Sequence, residues 1–134
     1  NKNMNSDIWL VNKIKNSTVS STRVYPNYIP ESTSNDYSDH IPCIVYTNIG
    51  FDRNRKNRQI IYSLTSIHNS KSNVEALNDQ LYNLFDNSTK YIRESSSNLN
   101  TINADIINNT PSLFDADNNY WTRPLDVSVW YYIN

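Results

Sequence analysis

Glycine is almost missing from this sequence: Gly50 is the only one among 134 residues. Walker loops, dinucleotide fingerprints and kinase glycine loops each need several glycines, so that backbone N–H groups can approach phosphate closely. None can be built here. Cysteine is equally scarce. With Cys43 alone, there is no intrachain disulfide and no cysteine zinc site, and the residue reads as a small buried hydrophobe. Neither sign of charge dominates: twelve Lys+Arg against thirteen Asp+Glu leave a formal net charge of −1. That balance argues against a general nucleic-acid or membrane binder. No apolar run approaches the roughly 20 residues that cross a bilayer as a helix, and no signal peptide is read ahead of the first helix.

What is abundant is asparagine, with 23 residues, and serine, with 17. They supply the solubility that a charged fraction of only 19 % does not. A prion-like tract is rejected, because the aromatics and β-branched residues fall into strand-length runs and the asparagines are spread evenly. Asparagine also suits turn positions that glycine would otherwise fill. The length fits one domain, 1–134, that buries about two-thirds of the surface of its unfolded chain.

The spacing of Ile8, Val11 and Ile14, with Ser6 and Asp7 as caps, predicts a helix over 6–16. Arg23-Val24-Tyr25-Pro26 is a short extended piece, and 27–40 reads as a surface loop. Cys43 to Ile49 and Gln59 to Ile67 are β-rich runs that predict an antiparallel hairpin, with a polar tip over 52–58. Gly50 falls where a bulge or bend would aim that tip outward. Ser70 and Ser72 offer caps for a helix that ends near 86–88. In it Val74, Leu77, Leu81, Leu84 and Phe85 form one stripe, with Glu75, Asn78 and Asp79 on the other side. The segment 88–118 is polar, with a candidate strand over 102–107 and a turn at Asn108-Asn109-Thr110-Pro111. Tyr120 to Ile133 is a long strand. One of its faces carries Leu125, Val127, Val129, Tyr131 and Ile133; the other carries Asp126, Ser128, Trp130 and Tyr132. Trp130 and Tyr132 are too large for a freely solvated face, so that face is expected to meet something else.

Catalytic residues are poorly supplied. His40 and His68 read as ordinary surface histidines, and no serine sits in a nucleophile elbow. Asp115, Asp117, Asn119 and Asp126 superficially follow a calcium loop, but the positions that need glycine and glutamate hold Tyr120 and Asp126. A hairpin turn rich in Asp and Asn is expected there instead. No cofactor or metal site is therefore assigned. The strongest local feature is the cluster Arg53, Arg55, Lys56 and Arg58. It reads either as a solvated hairpin that discourages edge pairing, or as a contact for an acidic partner or a phosphate backbone.

The order of these pieces covers nearly the whole chain and resembles the bacteriophage tail-completion and tail-terminator proteins of the head–tail junction. The resemblance is carried by Arg23-Val24-Tyr25-Pro26, by Ile41-Pro42-Cys43-Ile44-Val45-Tyr46, and by Arg58 to Ile67 running into the helix that starts at Ser70. The last piece is Tyr120-Trp121-Thr122-Arg123-Pro124-Leu125, continuing as an alternating strand to Tyr131. It implies an α+β fold, with a small antiparallel sheet flanked by two helices, in a ring-forming subunit without enzymatic chemistry. It also implies a hexamer or dodecamer in the virion neck or tail, assembled in the host cytoplasm against neighbouring neck and tail proteins. DNA would pass through its channel without specific binding, and no membrane would be involved. Partner contacts are then expected at Arg53, Arg55, Lys56, Arg58, Trp121, Trp130 and Tyr132. The alternative is a single-stranded nucleic-acid-binding module using the basic hairpin 52–58.

Overall fold

A computed structural model describes residues 2–30, 39–54, 57–86, 94–96 and 99–133. The chain runs α1 (Lys2–Ile14), β1 (Val24–Pro26), β2 (Cys43–Asn54), β3 (Asn57–His68), α2 (Lys71–Phe85), β4 (Glu94–Ser96), β5 (Leu99–Asn109), β6 (Leu113–Asp115) and β7 (Tyr120–Ile133). The strands make one sheet in the order β1-β2-β3-β7-β5-β4, with β6 also paired to β7. This is a small α+β domain. The expected all-antiparallel sheet is corrected in one respect: β1 lies parallel to β2, with Val24 opposite Ile44, so the sheet is mixed. The connection from β1 is long enough for a parallel return, which a two-residue turn would not allow.

The core forms because two periodicities meet. Alternate residues of the central strands, among them Ile60, Tyr62, Leu64, Leu125, Val127 and Val129, share one face and are buried. The α2 stripe of Val74, Leu77, Leu81 and Phe85 is buried too, and three of these four join the α1 residues Trp9, Leu10 and Ile14 in the same cluster. Both helices therefore lie on one side of the sheet. Ser70 caps α2, accepting a hydrogen bond from the Asn73 N–H at 3.2 Å. Asn78, expected on the polar side of α2, is instead buried, and neither its side-chain oxygen nor its nitrogen finds a hydrogen-bond partner. The buried arc of this helix is thus one residue wider than the apolar spacing implied.

The hairpin tip is tighter than 52–58. β2 runs on to Asn54 and β3 begins at Asn57, and Arg53 stands opposite Arg58 in the ladder. Gly50 does mark a bulge: the register shifts between Asn48 and Gly50. Its φ is not positive, and a Cβ placed there would meet Ile61 at an ordinary 3.5 Å.

The described residues of 88–118 hold three strands; the candidate strand over 102–107 is the middle of β5, and β4 and β6 are added to it. Asn108-Asn109-Thr110-Pro111 does not reverse the chain. β5 and β6 pair in succession with the same edge of β7, Asn109 opposite Leu125 and Leu113 opposite Thr122. Proline interrupts what is otherwise one long strand, and Arg123 Nε steadies the break by donating to the Thr110 carbonyl at 2.9 Å. The reversal comes at 115–119, as the Asp and Asn content predicts. Asp115 Oδ1 accepts from the N–H groups of Asp117 and Asn118, each at 3.1 Å. Asn119 closes the turn with φ 58°. Asn16 and Asn27 also take positive φ, which bears out asparagine as a substitute for glycine at turns.

Two stability outcomes follow. Gly50→Ala should be accepted and stabilise by about 0.4–1 kcal/mol, through a less flexible unfolded chain; a loss on urea unfolding would contradict the open site. Asn78→Leu should stabilise by on the order of 1–2 kcal/mol at unchanged m-value, because it removes a buried amide without partners.

Candidate functional site

The helix-free face of the sheet is where chemistry with another molecule can occur. At one end, Cys43, Val45, Ile67 and Tyr120 form a second, smaller cluster, covered by Tyr25, Ile29 and Ile41. Beside it lies an open cleft of about 380 Å³ whose lining includes Tyr28, Ile29, Thr65 and Tyr120. Towards the β2–β3 hairpin this face carries Ile61, Trp130 and Tyr132, and on the bordering strands Ile49 and Ile107. Tyr132 is 48 % exposed, Ile49 55 % and Ile107 53 %. Polar groups are interleaved, and Gln59 Nε2 donates to Ser128 Oγ at 2.7 Å across β3 and β7. Among the described residues, no helix covers this face.

The expected contact residues do not form one cluster. Trp130 and Tyr132 lie on the open face. Trp121 projects from the helix side, where its ring meets Phe114 with centroids 5.4 Å apart. Nine residues of strand separate Trp121 from Trp130, about 30 Å. Phe114 is exposed beside Trp121 and extends it into a second apolar patch, while Leu113, opposite Thr122, belongs to the other face. The basic cluster is also divided. Arg58 is only 6 % exposed and shares the helix-side row of Tyr131, so it does not belong to a solvated tip. Arg53 faces it in register, while Arg55 and Lys56 lie outside the described residues.

A polar network that the sequence pattern did not reveal joins α1 to the sheet. Ser6 and Asp7 had read as helix caps, but α1 begins at Lys2, which places both inside the helix. The Tyr62 hydroxyl donates to Asp7 Oδ1 and lies 2.6 Å from Ser6 Oγ. Burial, then the bond to Asp7, pushes the Tyr62 phenol above its ordinary value. Burial also raises the Asp7 carboxyl above the usual carboxylate range, against the opposing Tyr62 bond. Asp7 borders an open groove of about 340 Å³ with Ile8, Val11, Asn12, Lys15 and Tyr46. A tyrosine inside an otherwise apolar strand row is the only sequence signal for this contact, because its partners are more than fifty residues away.

Other reactive groups are quiet. Cys43 is buried, and burial pushes its thiol up to about 12, so it is a neutral thiol rather than a nucleophile at neutral pH. Burial lowers the His68 pKa, and its Nδ1 accepts the Asn69 N–H at 2.8 Å. His40 packs edge-on against Tyr25, with ring centroids 5.8 Å apart. Among the described residues, no three His, Cys, Asp or Glu side chains converge as a metal set, and no helix is long and apolar enough to cross a membrane. Compared with known proteins, the chain matches no family model and no curated protein.

The raised Asp7 carboxyl has a definite pH signature. Above about 3.8 the unfolded chain loses this proton while the folded chain keeps it, so unfolding releases a proton and stability falls as pH rises through that window. The loss is complete once pH passes the folded value. Asp7→Asn should remove this decrement from a urea-unfolding pH series; an unchanged slope would show that Asp7 is not the titrating group.

Proposed function

We propose that this protein is a structural subunit of a bacteriophage neck or tail, a tail-terminator-like ring component at the head–tail junction with no catalytic role. One observation carries the reading: one face of the sheet is covered by both described helices, while the other presents Trp130, Tyr132, Ile49 and Ile107 with no helix among the described residues over them. Large apolar side chains grouped on an open sheet face mark a surface meant for another protein. A ring subunit needs such surfaces on more than one side. The exposed Phe114 beside Trp121, at the far end of β7, supplies a second. The order of elements in the sequence that resembles the tail-terminator family supports the same reading. A net charge of −1 suits a channel through which DNA slides without being held. The nucleic-acid alternative loses ground, because Arg58 is withdrawn into the helix-side row.

Native mass spectrometry and negative-stain microscopy of the purified protein should show a closed ring of six or twelve copies. Tyr132→Lys should shift the population towards monomer while leaving the circular-dichroism spectrum unchanged. A strictly monomeric protein that is also absent from particles of the encoding phage would overturn the reading.

A further inference from the structure

The two side edges of the sheet are matched to each other. β1 covers β2 only at Ile44–Tyr46. On the far side of the sheet, β4 pairs with β5 only between Leu99 and Ile102. Among the described residues, no strand pairs with the outer edge of β2 at 47–51 or of β5 at 104–108. Both segments lie at the same level. Four register rows cross the sheet: Thr47–Ser63–Asp126–Asn108, Asn48–Tyr62–Val127–Ile106, Gly50–Ile61–Ser128–Asp105 and Phe51–Ile60–Val129–Ala104. Each edge strand spends five residues on these four rows. β2 has its extra residue at Ile49 and β5 has its own at Ile107, where the ladders shift. Each edge is thus one residue too long for its inner neighbour and equal in length to the other edge.

Direction matches as well. β2, β3, β7 and β5 alternate in direction across three antiparallel pairings, so β2 and β5 run oppositely. A second copy in the same orientation would bring its β5 antiparallel to β2 of the first. The single chain keeps both edges quiet by local means. The Gly50 N–H donates to Asn48 Oδ1 at 3.2 Å, and the Ile106 N–H to Asp105 Oδ1 at 2.9 Å. Bulges and local acceptors of this kind restrain indiscriminate strand addition. A partner strand that also spends five residues on these four rows avoids the mismatch in length.

We infer that the lateral partner of this chain is a second copy of itself, joined by antiparallel pairing of the 47–51 edge of one subunit with the 104–108 edge of the next. This rests on the ring reading and specifies its interface. The contact is heterologous, so it repeats around a ring when the rotation closes and along a filament when it does not. It sets Thr47 of one subunit opposite Asn108 of its neighbour and Phe51 opposite Ala104, and continues the sheet from copy to copy.

Cysteine cross-linking of the full chain tests it, since the native Cys43 is buried. The variants are Thr47→Cys, Asn108→Cys and the double variant, two positions that fall opposite each other in the proposed pairing, each checked for folding by circular dichroism. They are treated with copper-phenanthroline or a short bis-maleimide at the highest soluble concentration. The double variant should give a ladder of covalent multimers on non-reducing gels, while each single variant and the wild type stay at monomer size. A covalent dimer from either single variant would mean like edges meet, and would overturn the inference. Rings in native mass spectrometry without a ladder would overturn the edge pairing and leave the ring reading standing. A ladder accompanied by open filaments would support the edge pairing and overturn the ring. Monomer alone, with no cross-link, would overturn the pairing.

Discussion

β3 and β7 pair over twelve consecutive positions, from Asn57 opposite Tyr132 to His68 opposite Trp121. The rest of the molecule is arranged around this ladder. Its even β3 residues and odd β7 residues point to one side and are sealed there by α2. A slip of one residue would turn Ile60, Leu64, Leu125 and Val127 to the open face and bring Gln59, Ser63 and Asp126 into the core. Burial on one side therefore sets the register of the central strands. Tyr62 fills the same row, and its hydroxyl at the core boundary catches Asp7 and Ser6 of α1. That bond fixes the first helix against a strand it meets only through folding.

Among the described residues, one sheet face carries no helix. The two described helices both go to the side where the central alternating residues, Ile60 to Leu64 and Leu125 to Val129, are apolar and buried. The opposite side is apolar only in places: a small cluster under β1 and the 39–42 segment, and a patch at the hairpin end around Trp130 and Tyr132. Polar residues such as Ser63, Asp126 and Ser128 separate the two. The asymmetry between a continuous and a broken apolar face explains where the helices pack.

Much of the fold was legible because its signals are local. The β7 alternation, the α2 stripe and the turn at Asp115–Asn119 follow from side-chain period and turn chemistry, which need no distant partner. The misread parts depended on distant partners. The candidate strand over 102–107 lies within β5, but the extension of β5 to Asn109 and all of β6 are stretches whose pairing is provided by β7. Arg58 reads as a surface cation until the β3 register sets it on the helix-side row with Tyr131. Asn78 reads as solvent-facing because the width of the buried arc on α2 is decided by how the helix seats on the sheet. The parallel placement of β1 likewise has no local sequence signature.

The sequence by itself determined what this protein lacks and which faces its strongest elements would bury. One glycine rules out phosphate-cradling loops, and alternation and helical spacing assign the inner faces of β7 and α2. Asparagine at positive φ shows how turns are made without glycine. Only the tertiary structure decided which surfaces were left over. The withdrawal of Arg58 beside Tyr131 and the five-residue edges at 47–51 and 104–108 depend on strand order and register across the sheet. Those are relations between strands, with β3 and β7 paired across more than fifty positions, and they are settled by which apolar rows can be buried together.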